Sequence, residues 1–188
     1  MRAREAGKLR VIGGQWRSRL IEFETAEGVR PTPDRVRQTV FDWLAPVIEG
    51  SRCLDLFAGS GAMGIEALSR GAAHCTFVDQ GSRQCTKIKL ALQLLKAQHT
   101  DVTAMDAVFF LQQTWHRYDI VFIDPPFSSK LLGQALLELP KVLHADHRIY
   151  LEWPSNEPPP LPEHYVLLRE KQAGQVGYGL AQYRRPGK

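Results

Sequence analysis

Cys53-Leu54-Asp55-Leu56-Phe57-Ala58-Gly59-Ser60-Gly61-Ala62-Met63-Gly64 is the stretch whose reading decides the fold. A short apolar run carrying one acid gives way to a turn in which Gly59, Gly61 and Gly64 recur as G-x-G-x-x-G. A helical pattern follows as far as Gly71. Strand, glycine turn and helix in that order open a βα unit whose turn lets a ligand approach the backbone. Asp79 closes a second apolar run, 75–78, and lies 20 residues beyond Gly59. That spacing also suits a dinucleotide, with the second acid on a ribose, so an NAD-type oxidoreductase is one reading. Asp55 argues against it, because a pyrophosphate-binding turn gains nothing from a carboxylate ahead of its glycines. A cofactor combining an ammonium group, a ribose and an adenine, S-adenosylmethionine, fits the acids better.

Outward from this unit, strands and helices alternate. Cys85, Ile88, Leu92 and Leu95 mark one face of a helix, residues 102–105 form a third strand and 107–111 a short helix. Tyr118–Ile123 reads as a fourth strand, 131–137 as a helix and 148–153 as a fifth strand, followed by a proline-rich loop over 154–162. Residues 165–169 and Val176–Tyr183, separated by Gly174, read as a closing antiparallel pair. Alternating β and α with short connections predicts an α/β fold, a mostly parallel seven-stranded sheet covered on both faces. Asp55, Asp79, Asp106 and Asp124 then stand at four successive strand ends, where open α/β sheets bind ligands. The expected roles are amino-acid portion for Asp55, ribose hydroxyls for Asp79 and adenine amine for Asp106.

Asp124-Pro125-Pro126-Phe127 follows the fourth strand directly. Proline has no N–H, so the chain there offers carbonyl acceptors and a carboxylate beside an aromatic ring. An exocyclic nucleobase amine suits that set: Phe127 stacks on the base, while Asp124 and a proline carbonyl take the two N–H hydrogens. The plainer reading is a Pro-Pro turn with a core Phe.

The chain has 188 residues, ordinary for one domain, and the longest apolar run, Ala107 to Leu111, is far too short to span a membrane. No secretory h-region follows the first charges, and Cys53, Cys75 and Cys85 have no metal-ligand spacing, which favours reduced buried thiols, a cytoplasmic location and no metal site. Net charge is +4, and residues 1–40 carry all of it, with nine Lys/Arg against five Asp/Glu. Within that segment, residues 8–12 and 15–21 flank Gly13-Gly14 and read as a strand–turn–strand ribbon. Arg17 and Arg19 alternate with Trp16, Ser18 and Leu20, giving a basic face that suits a polyanion. Thr32 is expected to cap a helix with Pro33 as its first residue, and Pro46 to end it. The expected division is a ribbon over 1–30 and a catalytic domain over 31–188.

With these residues in hand, the chain resembles the class I S-adenosylmethionine-dependent methyltransferases, and within them the RsmD family, which methylates guanine N2 in 16S ribosomal RNA. The resemblance runs through Arg10-Val11-Ile12-Gly13-Gly14-Gln15-Trp16-Arg17, Arg30-Pro31-Thr32-Pro33-Asp34-Arg35, Asp55 to Gly61, Asp124 to Phe127 and Ala173-Gly174-Gln175-Val176. It implies a Rossmann-like fold and a catalytic set of Asp124, Pro125, Pro126 and Phe127. It implies a cofactor site built from Thr32, Arg35, Asp55, Phe57, Gly59, Ser60, Gly61, Asp79, Asp106, Ala107 and Asp124. Arg10, Arg17, Arg19 and Lys130 are the expected RNA contacts, and 16S RNA, free or within a small-subunit particle, the partner of a monomer. Gly81 departs from the family, which often carries an acid or amide there. Two other readings remain at this point, an adenine-N6 methyltransferase acting on DNA or RNA and a non-catalytic ribosome-assembly RNA-binding factor.

Overall fold

A computed structural model describes residues 6–25, 30–126 and 130–187. Five strands, β3 (Arg52–Asp55), β4 (His74–Asp79), β5 (Thr100–Ala104), β6 (Tyr118–Ile123) and β7 (Leu143–Pro154), lie parallel. β9 (Val176–Tyr183) pairs antiparallel with β7 and with the edge strand β8 (Tyr165–Ala173), giving the order β5-β4-β3-β6-β7-β9-β8. Cys53, Leu54, Phe77, Val78, Ile120, Val121 and Ile123 are fully buried, as expected of strands covered on both faces. The α/β expectation holds, and β7 and β8 run longer than their apolar patterns indicate.

Strand alternation sorts the helices. Cys53, Phe77, Ile120, Phe122 and Tyr150 face α1 (Asp34–Ile48), α2 (Ala62–Ser69) and α3 (Ser82–Leu94). Leu54, Val78, Val121, Ile123 and Leu151 face α4 (Ala107–Gln113) and α5 (Leu131–Glu138). Cys53, Cys75 and Cys85 are buried free thiols. No helix among the described residues is long and apolar enough to cross a membrane.

Two sequence expectations need correction. Pro46 lies inside α1 rather than ending it, and Pro33, not Thr32, precedes the first helical residue. Pro46 removes a bond to the Asp42 carbonyl, but both residues lie on the exposed side, where water replaces the lost donor. Leu44 and Ile48, buried on the other side, hold the helix through it.

The N-terminal segment differs more. β1 (Gly7–Arg10) pairs with β2 (Leu20–Phe23), and residues 15–18 form a turn, not a strand. Gly13-Gly14 is not a hairpin corner but a docking point on α2. Glu66, fully buried, accepts from Ile12 N at 2.9 Å and Gly13 N at 3.0 Å, while the Ser69 carbonyl accepts from Gln15 N at 2.8 Å. Gly14 has φ +77°, and a Cβ there would sit 1.8 Å from the Ser69 carbonyl oxygen, so only glycine fits. Arg17 and Arg19 therefore share no strand face: Arg19 donates to the Leu94 carbonyl on α3, whereas Arg17 turns toward the start of α1.

Glu66 also faces two guanidinium groups. Arg70 Nε lies 3.0 Å from Oε2, and Arg37 Nη1 3.4 Å from Oε1. Arg37, itself 1% exposed, donates onward to the Thr32 and Arg10 carbonyls and pairs with Asp34 at 2.6 Å. It is a core strut rather than a solvated helix charge. Glu66→Ala should take one of Arg37's two carboxylates and leave Arg70 and the Ile12 and Gly13 N–H groups without their buried acceptor, costing about 3–5 kcal/mol in a urea titration.

Candidate functional site

Parallel strands end at one edge, and here five carry a carboxyl at or near their C-terminal ends: Asp55, Asp79, Asp106, Asp124 and Glu152. β3 leads to β4 and β5 on one side, and the chain then crosses to β6 on the other, so β3 and β6 flank the switch point where ligands of such sheets bind. Asp55 stands level with Phe122, and Phe122 with Tyr150. Asp124 and Glu152 follow two residues on, so alternation places all three carboxyls on the α1–α3 side.

Asp55 is buried at the foot of the glycine turn, its Oδ2 accepting from Gly64 N at 2.9 Å. Burial raises its carboxyl to about 7; the Gly64 N–H works against the shift and the Asp79 charge adds to it. Gly59 and Gly61, with φ +53° and +78°, make the turn, and Gly61 hands the chain to α2 in a left-handed conformation. Ser60 is buried and its Oγ accepts from Ala62 N at 3.2 Å, which steadies the turn from within. Phe57, half-buried, packs with the α4–α5 core.

Asp79 accepts from Gly59 N at 2.9 Å and Gly81 N at 2.8 Å, one bond on each oxygen. Each oxygen keeps a lone pair for a ribose hydroxyl. A Cβ at Gly81 would fall 1.9 Å from Gln84 Oε1, so an amide from the next helix turn occupies the space that the glycine leaves. Asp106 caps α4, its Oδ1 accepting from Phe109 N at 2.8 Å. One of its oxygens is thus committed to the fold, and Ala107 begins the helix beside it, where the first N–H groups have no helical partner.

Asp124 is half-buried after β6, with Pro125 buried beside it. Its carboxyl stands well above the usual range: burial contributes most, then the charge of Glu152 and a hydrogen bond shared with it, then Asp55. Glu152 Oε1 accepts from the Tyr150 hydroxyl and lies 3.5 Å from Thr32 Oγ1. Thr32 therefore reaches the site, at the level of the Asp124–Glu152 pair. Arg35 lines a separate shallow depression with Arg10 and Arg17. Lys130 is exposed at the start of α5, and Phe127 lies outside the described residues.

Glu152 and Gln84 were not singled out from sequence. Gln84 left no pattern to read. Glu152 did, since the fifth parallel strand carries its acid among 148–153 as the others do, but it lies inside the strand rather than after it.

Among the described residues, no Lys, Arg or His pairs with Asp55, Asp79, Asp106, Asp124 or Glu152. An acidic row without its own cations, buried at Asp55, half-buried at Asp79, Asp124 and Glu152 and exposed at Asp106, fits a positively charged ligand and repels a pyrophosphate. The residues present thus fit a sulfonium donor with an ammonium tail better than NAD.

The comparisons agree with this geometry. The family model described as "Conserved hypothetical protein 95" matches residues 9–182. Ribosomal RNA small subunit methyltransferase D of Escherichia coli K12 is 46% identical over 180 residues, 94% of this chain and 91% of that protein. The chain belongs to the RsmD family. The Haemophilus influenzae protein of the same name is 41% identical over 94% of both chains. A solved methyltransferase structure from E. coli superposes with a TM-score of 0.87 and 44% identity, covering 96% of this chain and all of that one. The fold is the Rossmann-like class I methyltransferase fold.

The raised carboxyl of Asp55 has a stability consequence. Its neutral form is favoured in the folded protein, so its contribution is complete below about pH 4 and is lost as pH rises toward 7. A buried His147, shifted down mainly by burial, acts in the opposite direction, so the comparison must be with Asp55→Asn. The stability difference between wild type and Asp55→Asn, measured by denaturant titration without ligand, should fall by roughly 3–5 kcal/mol between pH 4 and 8. Affinity for a cationic ligand should rise across pH 7, and Asp55→Asn should flatten that rise.

Proposed function

We infer that this protein transfers a methyl group from S-adenosylmethionine to the exocyclic N2 of a guanine in 16S ribosomal RNA. The observation that carries the reading is the cation-free row of strand-end carboxyls leading to Asp124-Pro125-Pro126, in a chain of the RsmD family. Asp55, with the Gly59–Gly61 turn, would hold the amino-acid portion of the donor, Asp79 and Gln84 the ribose, and Asp106 with Ala107 the adenine.

When bound, the donor supplies an electrophilic methyl group on sulfur. The protein's part is to make a poor nucleophile attack it. A guanine N2 lone pair is delocalised into the ring, and two acceptors on its N–H bonds, Asp124 and the Pro125 carbonyl, hold those bonds out of the ring plane. The lone pair then points in line with the methyl. Holding two reactants in that alignment supplies a large share of the barrier reduction. Asp124 accepts the N2 proton after transfer, and its raised carboxyl suits the role. Phe127, next in the chain, is placed by sequence to stack on the base.

The target base must leave its stack to enter such a crevice. Arg10, Arg17 and Arg35 surround one depression beside the start of α1, the helix that Thr32 leads into, and form a basic surface there. Arg35 thus belongs with the RNA contacts rather than with the cofactor, and Arg19, turned to α3, drops out of them. The substrate is 16S RNA, within or outside a small-subunit particle, met by a monomer in the cytoplasm.

Two measurements test the reading. Transfer of labelled methyl to 16S RNA and to 30S-type particles, with nucleoside mass spectrometry, should yield N2-methylguanosine; N6-methyladenosine would overturn it. Asp124→Ala should keep donor affinity in calorimetry within a few-fold and lose most turnover, about 10²-fold or more. In the same assay series, replacing Arg10, Arg17 and Arg35 by Ala should flatten the salt dependence of RNA binding by roughly 0.7–0.9 per lost phosphate contact. Arg19→Ala should leave that slope unchanged.

A further inference from the structure

Asp124 and the proline carbonyls accept an amine, and both guanine and adenine carry one. The structure places a third acceptor beside them. β6 and β7 are in register through Ile123 and Leu151, so Asp124 and Glu152 are next-door neighbours across the two strand ends, about 5 Å apart along the hydrogen-bonding direction. The Glu152 charge is among the causes that hold the Asp124 carboxyl well above its usual range, after burial.

Glu152 is held rather than loose. The Tyr150 hydroxyl donates to Oε1, and Thr32 Oγ1 approaches the same atom at 3.5 Å. Tyr150 is fully buried, and the Thr32 carbonyl is itself fixed by the buried Arg37. Both hydroxyl contacts fall on one oxygen, so the carboxylate is fixed in rotation while Oε2 takes neither.

The edge that an extruded base would present here differs between the two purines. Guanine shows the N2 amine and, next to it, the N1–H, which makes three hydrogens in a row. Adenine shows its amine next to an unprotonated N1, a lone pair. A carboxylate beside the amine site meets a donor in the first case and an opposing lone pair in the second.

We propose that Glu152 is the specificity-determining residue of this site, accepting the N1–H of guanine while Asp124 and the Pro125 carbonyl accept from N2. Thr32 and Tyr150 are its positioning residues. This rests on the reading of the site as a base-amine methyltransferase and adds the choice of base. Asp124-Pro125-Pro126-Phe127 alone does not make that choice; its neighbour on β7 does.

The test uses the full chain and RNA substituted at the guanine mapped as the methylation target. One substrate keeps guanine, a second carries 2-aminopurine, which retains the 2-amine but lacks the N1–H, and a third carries adenine. The wild type should favour guanine over 2-aminopurine in kcat/KM by on the order of 10² or more, since a buried acceptor facing a lone pair is left unpaired. Glu152→Gln, whose amide can turn either group to the base, should lower that ratio at least about tenfold while donor affinity in calorimetry stays within a few-fold. If Glu152→Gln melts early, Glu152→Asp, which keeps the charge and withdraws the acceptor, should lower the same ratio. An equal loss on guanine and 2-aminopurine in the stable variant would make Glu152 merely structural and overturn the proposal, while leaving guanine methylation intact. A wild-type methyl group found on adenine would instead overturn the proposed function itself.

Discussion

A strand in a parallel sheet has no choice of edge at which to end. Five parallel strands here deliver their C-terminal residues to one rim, and each brings a carboxyl within or just beyond its last residues. Such a concentration of acid is costly unless something answers it. Backbone N–H groups answer part of it, from Gly64 to Asp55, from Gly59 and Gly81 to Asp79, and from Phe109 to Asp106. No cationic side chain among the described residues answers the rest. Asp55 and Asp124 respond as physics requires, by holding their protons to higher pH. The acidity at the rim and the need for a cationic ligand are one fact seen from two sides.

On the same α1–α2 face, the protein does use arginines against acid, and the contrast is informative. Glu66 is as buried as any residue in the chain, yet it is met by Arg37, Arg70 and two backbone N–H groups. That cluster ties the 11–16 segment, the start of α1 and the middle of α2 into one unit. Through the Arg37 bond to the Thr32 carbonyl it also sets where Thr32 meets Glu152. The fold thus pairs Glu66 with cations and leaves the rim carboxyls, the proposed ligand site, without them among the described residues.

Sheet, helices and strand-end acids were legible in sequence because each is a local pattern: alternation, glycine spacing, an acid after an apolar run. What failed was decided by contacts across the fold. Gly13-Gly14 looks like a hairpin corner, but Glu66 and Ser69, more than fifty residues away, claim its backbone groups. Arg17 and Arg19 alternate as strand residues would, and the turn imposed by that docking sends them to different faces. Nothing local in the sequence shows that Arg37 is a buried strut, because its four partners, Thr32, Arg10, Glu66 and Asp34, are set by how α1, α2 and the N-terminal segment pack. Glu152 follows the strand-end rule but was hidden, because its strand continues two residues past it.

The proposed reaction leaves one more demand, and the carboxyl pair meets it. Methyl transfer from a sulfonium to a neutral amine ends with a neutral thioether, a neutral methylated amine and one proton. The positive charge that the acidic rim was built around is thus not consumed; it moves. Asp124 is the carboxyl beside that proton, already disposed by burial and by Glu152 to hold one. Holding it there would keep the rim's net charge nearly constant through the chemical step, so little solvent has to reorganise at the moment of transfer. A lone exposed carboxylate at the end of β6 would accept an N–H bond equally well, but it would not keep the proton once methyl transfer was complete. In the proposed reaction the second acid beside Asp124 would thus serve the chemistry as well as the choice of base, and in the ligand-free protein it helps hold the Asp124 carboxyl above its usual range.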